Sequence, residues 1–394
     1  MQAKRLAILT THPIQYHAPW FRSLASEPGL SIEVFYCHNA TAREQAQAGF
    51  GIEFDWDVSL LEGYPHRFLR NVAQHPGIAG FSGLDTPEIS DILDREHFDA
   101  VMINGWHYKS AWQTMRGCWK TQTPVMVRSD SHLHTERSGL KRAGKWPIYR
   151  WFVSKLDACL PVGKWSSDYF LHYGAAAERL FIVPHVIDTD HFQSESERLG
   201  PQRHLLRAKW GLSDAAVVFL FAGKFTEKKR PLDFVNAIGQ ARSRGAEVEG
   251  LMVGDGPLRA ACEQLAREKN LPIRFAGFLN QSEITAAYVA ADALVLPSDG
   301  GETWGLVVNE AMACGVPCFV SDKVGCSPDM IKTGETGATF PLGDTKVLGQ
   351  MLAELAANKE RVSWMRERAR EKAQQYTLDV AVERTIQAVE AVSG

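Results

Sequence analysis

Short apolar runs recur along the chain, separated by longer stretches in which apolar positions return with helical spacing. In the first half the apolar runs are Leu6–Thr11, Ile32–Cys37, Ala100–Asn104, Val125–Ser129, Ala158–Val162 and Phe181–Pro184. In the second half they are Val217–Gly223, Gly250–Gly254, Ile273–Ala276, Ala293–Pro297, Cys318–Ser321 and Ala338–Phe340. They are rich in Val, Ile, Leu and Phe and scarcely alternate, the pattern of strands covered on both faces. Helical-period segments such as Pro231–Arg244 and Leu258–Asn270 lie between them. Strands alternating with helices predict parallel sheets joined by right-handed crossovers.

Two sets of six strands predict an α/β protein with two doubly wound, Rossmann-like domains. The stretch Pro184–Gly200 has little periodicity and is the expected junction, giving domains over 1–185 and 186–376. The tail from Ser363 to Gly394 reads as two helices broken near Tyr376–Thr377, and 377–394 forms a last helix expected to pack back on the first domain. The region Ala40–Phe81 carries no legible element. In open parallel sheets ligands bind beyond the carboxyl ends of the strands, so chemistry is sought in the loops that follow them.

Composition narrows the function without choosing it. Of 394 residues 45% are hydrophobic and 23% charged, with a net charge of -3, which argues against bulk nucleic-acid binding. The seven cysteines include no C-x-x-C pair and sit mostly in apolar runs, as small hydrophobes in a reducing compartment do. No stretch approaches the ~18 consecutive apolar residues of a membrane span, and the opening run lacks the features of a signal peptide. A cytoplasmic protein is expected.

The densest signal runs from Pro297 to Pro317. A strand ends at Pro297, a polar glycine-containing loop carries Glu302 and Thr303, and a helix is expected from about Gly305 to Cys314, closed by Gly315. A helix N-terminus with Gly305, Leu306 and Val307 at its start offers backbone N–H groups to a diphosphate. Glu310 lies within that helix and Glu302 before it. The bland reading of either acid alone is dipole compensation. The second signal is Gly223-Lys224-Phe225-Thr226-Glu227-Lys228-Lys229-Arg230-Pro231, between a strand and a helix, read as either a solvated basic turn or a set of cations for a phosphate. The third is Gly254-x-Gly256-Pro257, a tight turn lacking the third glycine of a dinucleotide fingerprint.

The string Pro-Ser-x3-Glu302-x2-Gly305-x4-Glu310-Ala-Met-Ala-x-Gly-x-Pro resembles the Glu-x7-Glu signature of family 4 glycosyltransferases, formerly group 1. The Gly223–Pro231 segment is similar to that family's Gly-Arg-Leu-x3-Lys-Gly motif, with Lys224 in place of Arg and Arg230 in place of Gly. The resemblance implies the GT-B fold, two Rossmann-like domains facing a central cleft. It also implies transfer of a hexose-type sugar, with retention and without a metal or other cofactor, from a nucleotide diphosphate donor, UDP favoured over GDP. The C-terminal domain would hold the donor and the N-terminal domain the acceptor, a glycan or lipid-linked molecule of cell-surface glycan or glycolipid assembly.

By the same resemblance, Lys224 and Lys229 stabilise the departing diphosphate with the helix start near Gly305, Glu302 positions the sugar and Glu310 holds the ribose. Gly254, Gly256 and Phe278 lie beside the nucleotide. The family's glycine pair after the first strand is missing, which leaves His12 for the N-domain contact, with His17 nearby; Asp130 falls closest to the family's His in the loop after Val125–Ser129. Arg128 and Asp130 read equally well as a local ion pair. Asp55-x-Asp57 and Asp188-x-Asp190 read as structural.

From Arg137 to Lys155 six Lys or Arg and no acidic residue are interleaved with Trp146, Tyr149, Trp151 and Phe152. Such a helix either lies on an anionic membrane or is an ordinary amphipathic helix. The alternatives to a transferase are a sugar-nucleotide epimerase on the same fold, a Rossmann dehydrogenase, which the broken glycine fingerprint disfavours, and an inactive nucleotide-sugar-binding scaffold.

Overall fold

The computed structural model describes residues 3–39, 56–78, 80–134 and 139–394, the side chains of 139–143 excepted. Two compact units divide the chain. The described part of the first comprises residues 3–39, 59–78, 80–134, 139–186 and 378–394; that of the second comprises 56–58 and 187–377.

The first unit is built on six parallel strands: β1 (Lys4–Thr10), β2 (Leu30–Tyr36), β3 (His66–Phe68), β4 (Ala100–Asn104), β5 (Val125–Ser129) and β6 (Ala158–Pro161), in the order β3-β2-β1-β4-β5-β6. Successive strand residues point to opposite faces. Ala7, Leu9, Val101, Ile103, Val125 and Val127 pack on one side, under helices Ile89–Glu96 and Lys109–Thr121. Leu6, Ile8, Met102 and Met126 pack on the other, under helix His17–Ala25 and the C-terminal helix Leu378–Val392, whose Ala381, Val382, Ala388 and Val389 complete that core. Burying a Leu, Ile or Phe contributes about 1.5–3 kcal/mol, so both faces of the sheet are covered for the same reason its strands are uninterruptedly apolar.

One expected strand of this sheet is replaced. Phe181–Pro184 runs beside β6, with Phe181 N donating to Cys159 O and Val183 N to Pro161 O, yet forms only an isolated bridge. Pro184 has no N–H, and the carbonyls of Val183 and Pro184 accept from the Arg128 guanidinium instead. The sixth strand is β3, a three-residue edge strand in the region that carried no sequence signal.

The second unit repeats the plan with β7 (Val217–Ala222), β8 (Val248–Val253), β9 (Ile273–Gly277), β10 (Ala293–Leu296), β11 (Cys318–Ser321) and β12 (Gly337–Phe340), ordered β12-β11-β10-β7-β8-β9 and parallel throughout. Phe219, Phe221, Phe225 and Phe234 centre its core. The strand order reverses at β1/β4 in the first sheet and at β7/β10 in the second. These are the switch points beyond whose carboxyl ends an open α/β sheet binds ligands.

Candidate functional site

In the second unit the loops after β7 and β10 emerge side by side at the switch point. The β7 loop passes through Gly223 and Lys224, makes a short 3-10 turn over Glu227–Lys229, and enters helix Pro231–Arg242. Arg230 between them holds φ 50°, a left-handed conformation that glycine enters without cost, and its Nε pairs with Asp233 at 2.6 Å. The β10 loop runs from Pro297 to Leu306. Helix Val307–Ala313 is shorter than expected: Gly305, at φ 101°, and Leu306 precede it. A Cβ on Gly305 would stand 2.9 Å from Leu296 Cδ2, so close packing and backbone conformation both require glycine here.

Asp299 N donates to Lys228 O at 2.9 Å, and this bond joins the two loops. Their side chains meet as well. Lys229 Nζ pairs with Glu302 Oε2, and Lys228 Nζ lies 3.9 Å from the same oxygen. Glu302 is only 8% exposed. Lys224 belongs to the same electrostatic group: burial first, then Lys229 and Lys228, lower its pKa to about 8, with Glu302 opposing. One buried carboxylate thus faces three lysines, which leaves the spot biased towards anions.

Glu310 sits on the helix behind this loop, 2% exposed, and accepts from the Tyr288 hydroxyl at 2.5 Å. Trp304 Nε1 donates to Asn309 Oδ1 at 2.9 Å and fixes the loop's exit. The Gly254–Gly256 turn after β8 lies against the β7 loop: Cβ atoms there would stand 2.0 Å from Gly223 O and 2.9 Å from Phe225 N. Phe278 directly follows β9 at the same edge. Glu302, Thr303, Gly305, Leu306, Val307, Lys224, Lys229, Gly254, Gly256 and Phe278 therefore all belong to strand-end loops or the helix start of one sheet.

Two contributors carry no sequence signal, and a third is given no role of its own by the sequence. Lys228 is one of two adjacent lysines. Tyr288 is a core-facing position of helix Gln281–Ala290. Gly325, after β11, donates its N–H to Glu302 O at 2.9 Å, while Cys326 N reaches Trp304 O at 3.0 Å. A Cβ on Gly325 would fall 1.8 Å from Thr303 O. The β10 loop rests on this bare backbone.

The acid pairs set aside as structural have structural partners where described. Asp188 Oδ1 caps helix Thr189–Leu199 through His191 N at 3.1 Å. Asp57 accepts from the N–H of Ser282 at 3.1 Å and from its hydroxyl; Asp55 lies outside the described residues. All seven cysteines are free and buried. Among the described residues no group of three His, Cys, Asp or Glu could hold a metal ion.

In the first unit, His12 follows β1 and its Nδ1 lies 2.9 Å from Thr11 Oγ1. Asp130 follows β5, with Oδ2 3.9 Å from His185 Nε2. Arg128 turns to the Val183 and Pro184 carbonyls at 3.2 and 2.8 Å, lies 3.3 Å from His185 Nδ1, and stacks 4.8 Å from the Trp20 ring centre.

The family description "Glycosyl transferases group 1" matches residues 202–374, and "Glycosyltransferase Family 4" matches residues 25–191. The chain belongs to the group 1, family 4 glycosyltransferases. Its similarity to N-acetyl-alpha-D-glucosaminyl L-malate synthase of Bacillus anthracis is 33% identity over 42% of this chain and 43% of that protein. The 2-deoxystreptamine glucosyltransferase of Streptomyces kanamyceticus is 32% identical over 48% of this chain and 50% of its own length. The chain thus spans about half the length of these curated relatives. Among solved structures, a glycosyltransferase from Rickettsia africae superposes with a TM-score of 0.76 at 14% identity, covering 100% of this chain and 99% of that one. Anabaena HepE in complex with UDP and glucose gives 0.68 at 14% identity, over 98% and 99%. The fold of this group 1 chain is GT-B. No described helix is long and apolar enough to cross a membrane.

Proposed function

We propose that this chain is a glycosyltransferase that moves a hexose-type sugar from a nucleotide diphosphate donor, a UDP-sugar first among them, to a glycan or lipid-linked acceptor, with retention and without a metal. The observation that carries this reading is the buried Glu302 carboxylate held between Lys229 and Lys228 at the β7/β10 switch point, with Lys224 beside them. HepE, a neighbour in fold, is bound to UDP and glucose at 98% coverage of this chain.

The chemistry asked of the site is electrostatic. A sugar–phosphate bond breaks with negative charge growing on the diphosphate, and preorganised cations in a site poor in water stabilise that charge without reorganising. Lys229 and Lys224 take that role. Glu302 orients Lys229 and the sugar hydroxyls, and Glu310 receives the ribose. The departing phosphate oxygen takes the acceptor's proton on the face it leaves. The first unit holds the acceptor. In this reading the basic, aromatic helix Gly139–Val153 rests on an anionic membrane surface, which its cations and indoles support.

The test is binding and slow hydrolysis of UDP-, GDP- and ADP-sugars with EDTA present, in the wild type, Glu302→Gln and Lys229→Ala. One donor should bind saturably and turn over, with turnover lowered about a hundredfold or more in either variant. A folded protein that binds none of the donors would remove the enzyme reading. An absolute need for a divalent ion would remove metal independence alone.

A further inference from the structure

The carboxyl edge of the first sheet holds a second polar cluster. Asn104 ends β4 in direct register with Arg128, one residue before the end of β5, and with Thr10 of β1 they continue the face that carries Leu6, Ile8, Met102 and Met126. Helix His17–Ala25 covers that face, and its first residue, His17, packs against the Trp20 and Phe21 rings. A strand face apolar over its whole length thus ends in amide, guanidinium and imidazole.

These groups are largely unmatched. Both polar atoms of the Asn104 amide, Oδ1 and Nδ2, are buried with no hydrogen-bond partner among the described residues, and so is His17 Nδ1. Arg128 is 5% exposed; it donates to two neutral carbonyls, lies beside an imidazole and an aromatic face, and feels the Asp130 carboxylate. Burial first, then Arg128, His185 and His12, hold the His17 pKa well below the usual imidazole range; Asp130 alone opposes. A buried polar atom without a partner loses its water and gains nothing in return. Three in one place, beside a buried guanidinium and at the end of the sheet where ligands bind, form a site that waits for its partner.

We propose that Asn104, Arg128 and His17 form an oxyanion subsite that takes the phosphate or carboxylate of a hydroxylated substrate. Arg128 supplies the charge and His17 an imidazole nitrogen. The Asn104 amide, donor and acceptor at once, suits a hydroxyl beside the anion. The subsite rests on the transferase reading for its role: the oxyanion belongs to the acceptor that the first unit holds.

Calorimetric titration of the full chain with inorganic phosphate and with L-malate, each with and without saturating UDP, tests it. Wild type should bind at least one probe saturably, and Asn104→Leu and His17→Phe should weaken it about tenfold or more. Because leucine removes two unpartnered atoms, Asn104→Leu should also melt higher than wild type, the reverse of what an amide with a structural role gives. Binding that persists under saturating UDP assigns the oxyanion to the acceptor; binding that UDP abolishes overturns that assignment. No saturable binding, binding unchanged in both variants, or a lower melting point for Asn104→Leu overturns the subsite. UDP binding by a protein that fails these tests leaves the transferase reading standing, so the two failures are distinct.

Discussion

The Tyr288 hydroxyl donates to Glu310 Oε2 at 2.5 Å, joining helix Gln281–Ala290 to the helix behind the Glu302 loop, and both side chains are buried. A hydrogen bond to a charged group contributes about 1.5–3 kcal/mol, and this one also fixes which way the carboxylate turns. Tyr288→Phe keeps the ring and removes only the donor. If Glu310 receives the ribose, UDP affinity falls about tenfold in Tyr288→Phe, with a modest loss of melting temperature. Calorimetry on the two proteins decides it. Unchanged UDP affinity with a lowered melting temperature would make the pair purely structural.

Lys224 links the site to pH. Its folded-state pKa of about 8 lies below the usual 10.5, chiefly through burial, then through Lys229 and Lys228. The protonated form attracts a diphosphate, so UDP affinity should decline as pH rises through about 8 in wild type, whereas Lys224→Met starts weaker and changes less. Stability runs the other way. Between about 8 and 10.5 the unfolded chain binds more protons at this residue than the folded chain, so Lys224 contributes rising stability across that window. Urea melts of the two proteins across it should show a gain in wild type that Lys224→Met lacks. Parallel pH profiles for the two proteins would dissociate Lys224 from both effects.

Much of the fold was legible because buried parallel strands have no polar face to confuse with anything else. What escaped was β3, whose His66-Arg67-Phe68 sits at an edge half in water. Phe181–Pro184 misled because apolar composition does not reveal that a guanidinium takes the carbonyls. The Glu302–Glu310 string was readable because its parts are neighbours in sequence. Arg230 stood out as a departure from the family's glycine, and it holds the left-handed backbone that glycine favours. Tyr288, Gly325 and the Asn104–Arg128–His17 cluster were invisible, since strands far apart in sequence bring them together.

Gly325 gives a steric test of the β10 loop. An added methyl would stand 1.8 Å from Thr303 O and 2.9 Å from Trp304 N, both backbone atoms with little room to yield. Overpacking of this kind costs about 1–3 kcal/mol, and the yielding element is the loop that carries Glu302. Gly325→Ala should therefore lower the melting temperature, and a displacement near 1 Å should reduce donor turnover about a hundredfold. Gly200→Ala is the control: Gly200 has ordinary helical angles and nothing within 4 Å of the added methyl, so both quantities should stay at wild-type values. Gly325→Ala with undiminished turnover would show that the loop does not depend on this support.

The membrane reading rests on helix Gly139–Val153. Its inner residue Phe152 is fully buried, while Trp146, Ile148 and Trp151 are 42%, 53% and 50% exposed. Arg150 lies 5.3 Å from the Trp146 ring centre and Lys155 5.2 Å from that of Trp151, so cations and indoles share one surface. Indole rings favour the interfacial zone of a bilayer, and each basic residue near an anionic surface adds about 1 kcal/mol. The full chain should sediment with phosphatidylglycerol vesicles at low salt and hardly at all with phosphatidylcholine vesicles. Raising the salt to about 0.5 M shortens the screening length to a few Å and should release it. Replacing Trp146 and Trp151 together by Ala removes the interfacial anchors and should weaken sedimentation about tenfold or more. Equal sedimentation with both lipids, or none with either, would return this helix to the ordinary amphipathic reading, with its cations simply solvated.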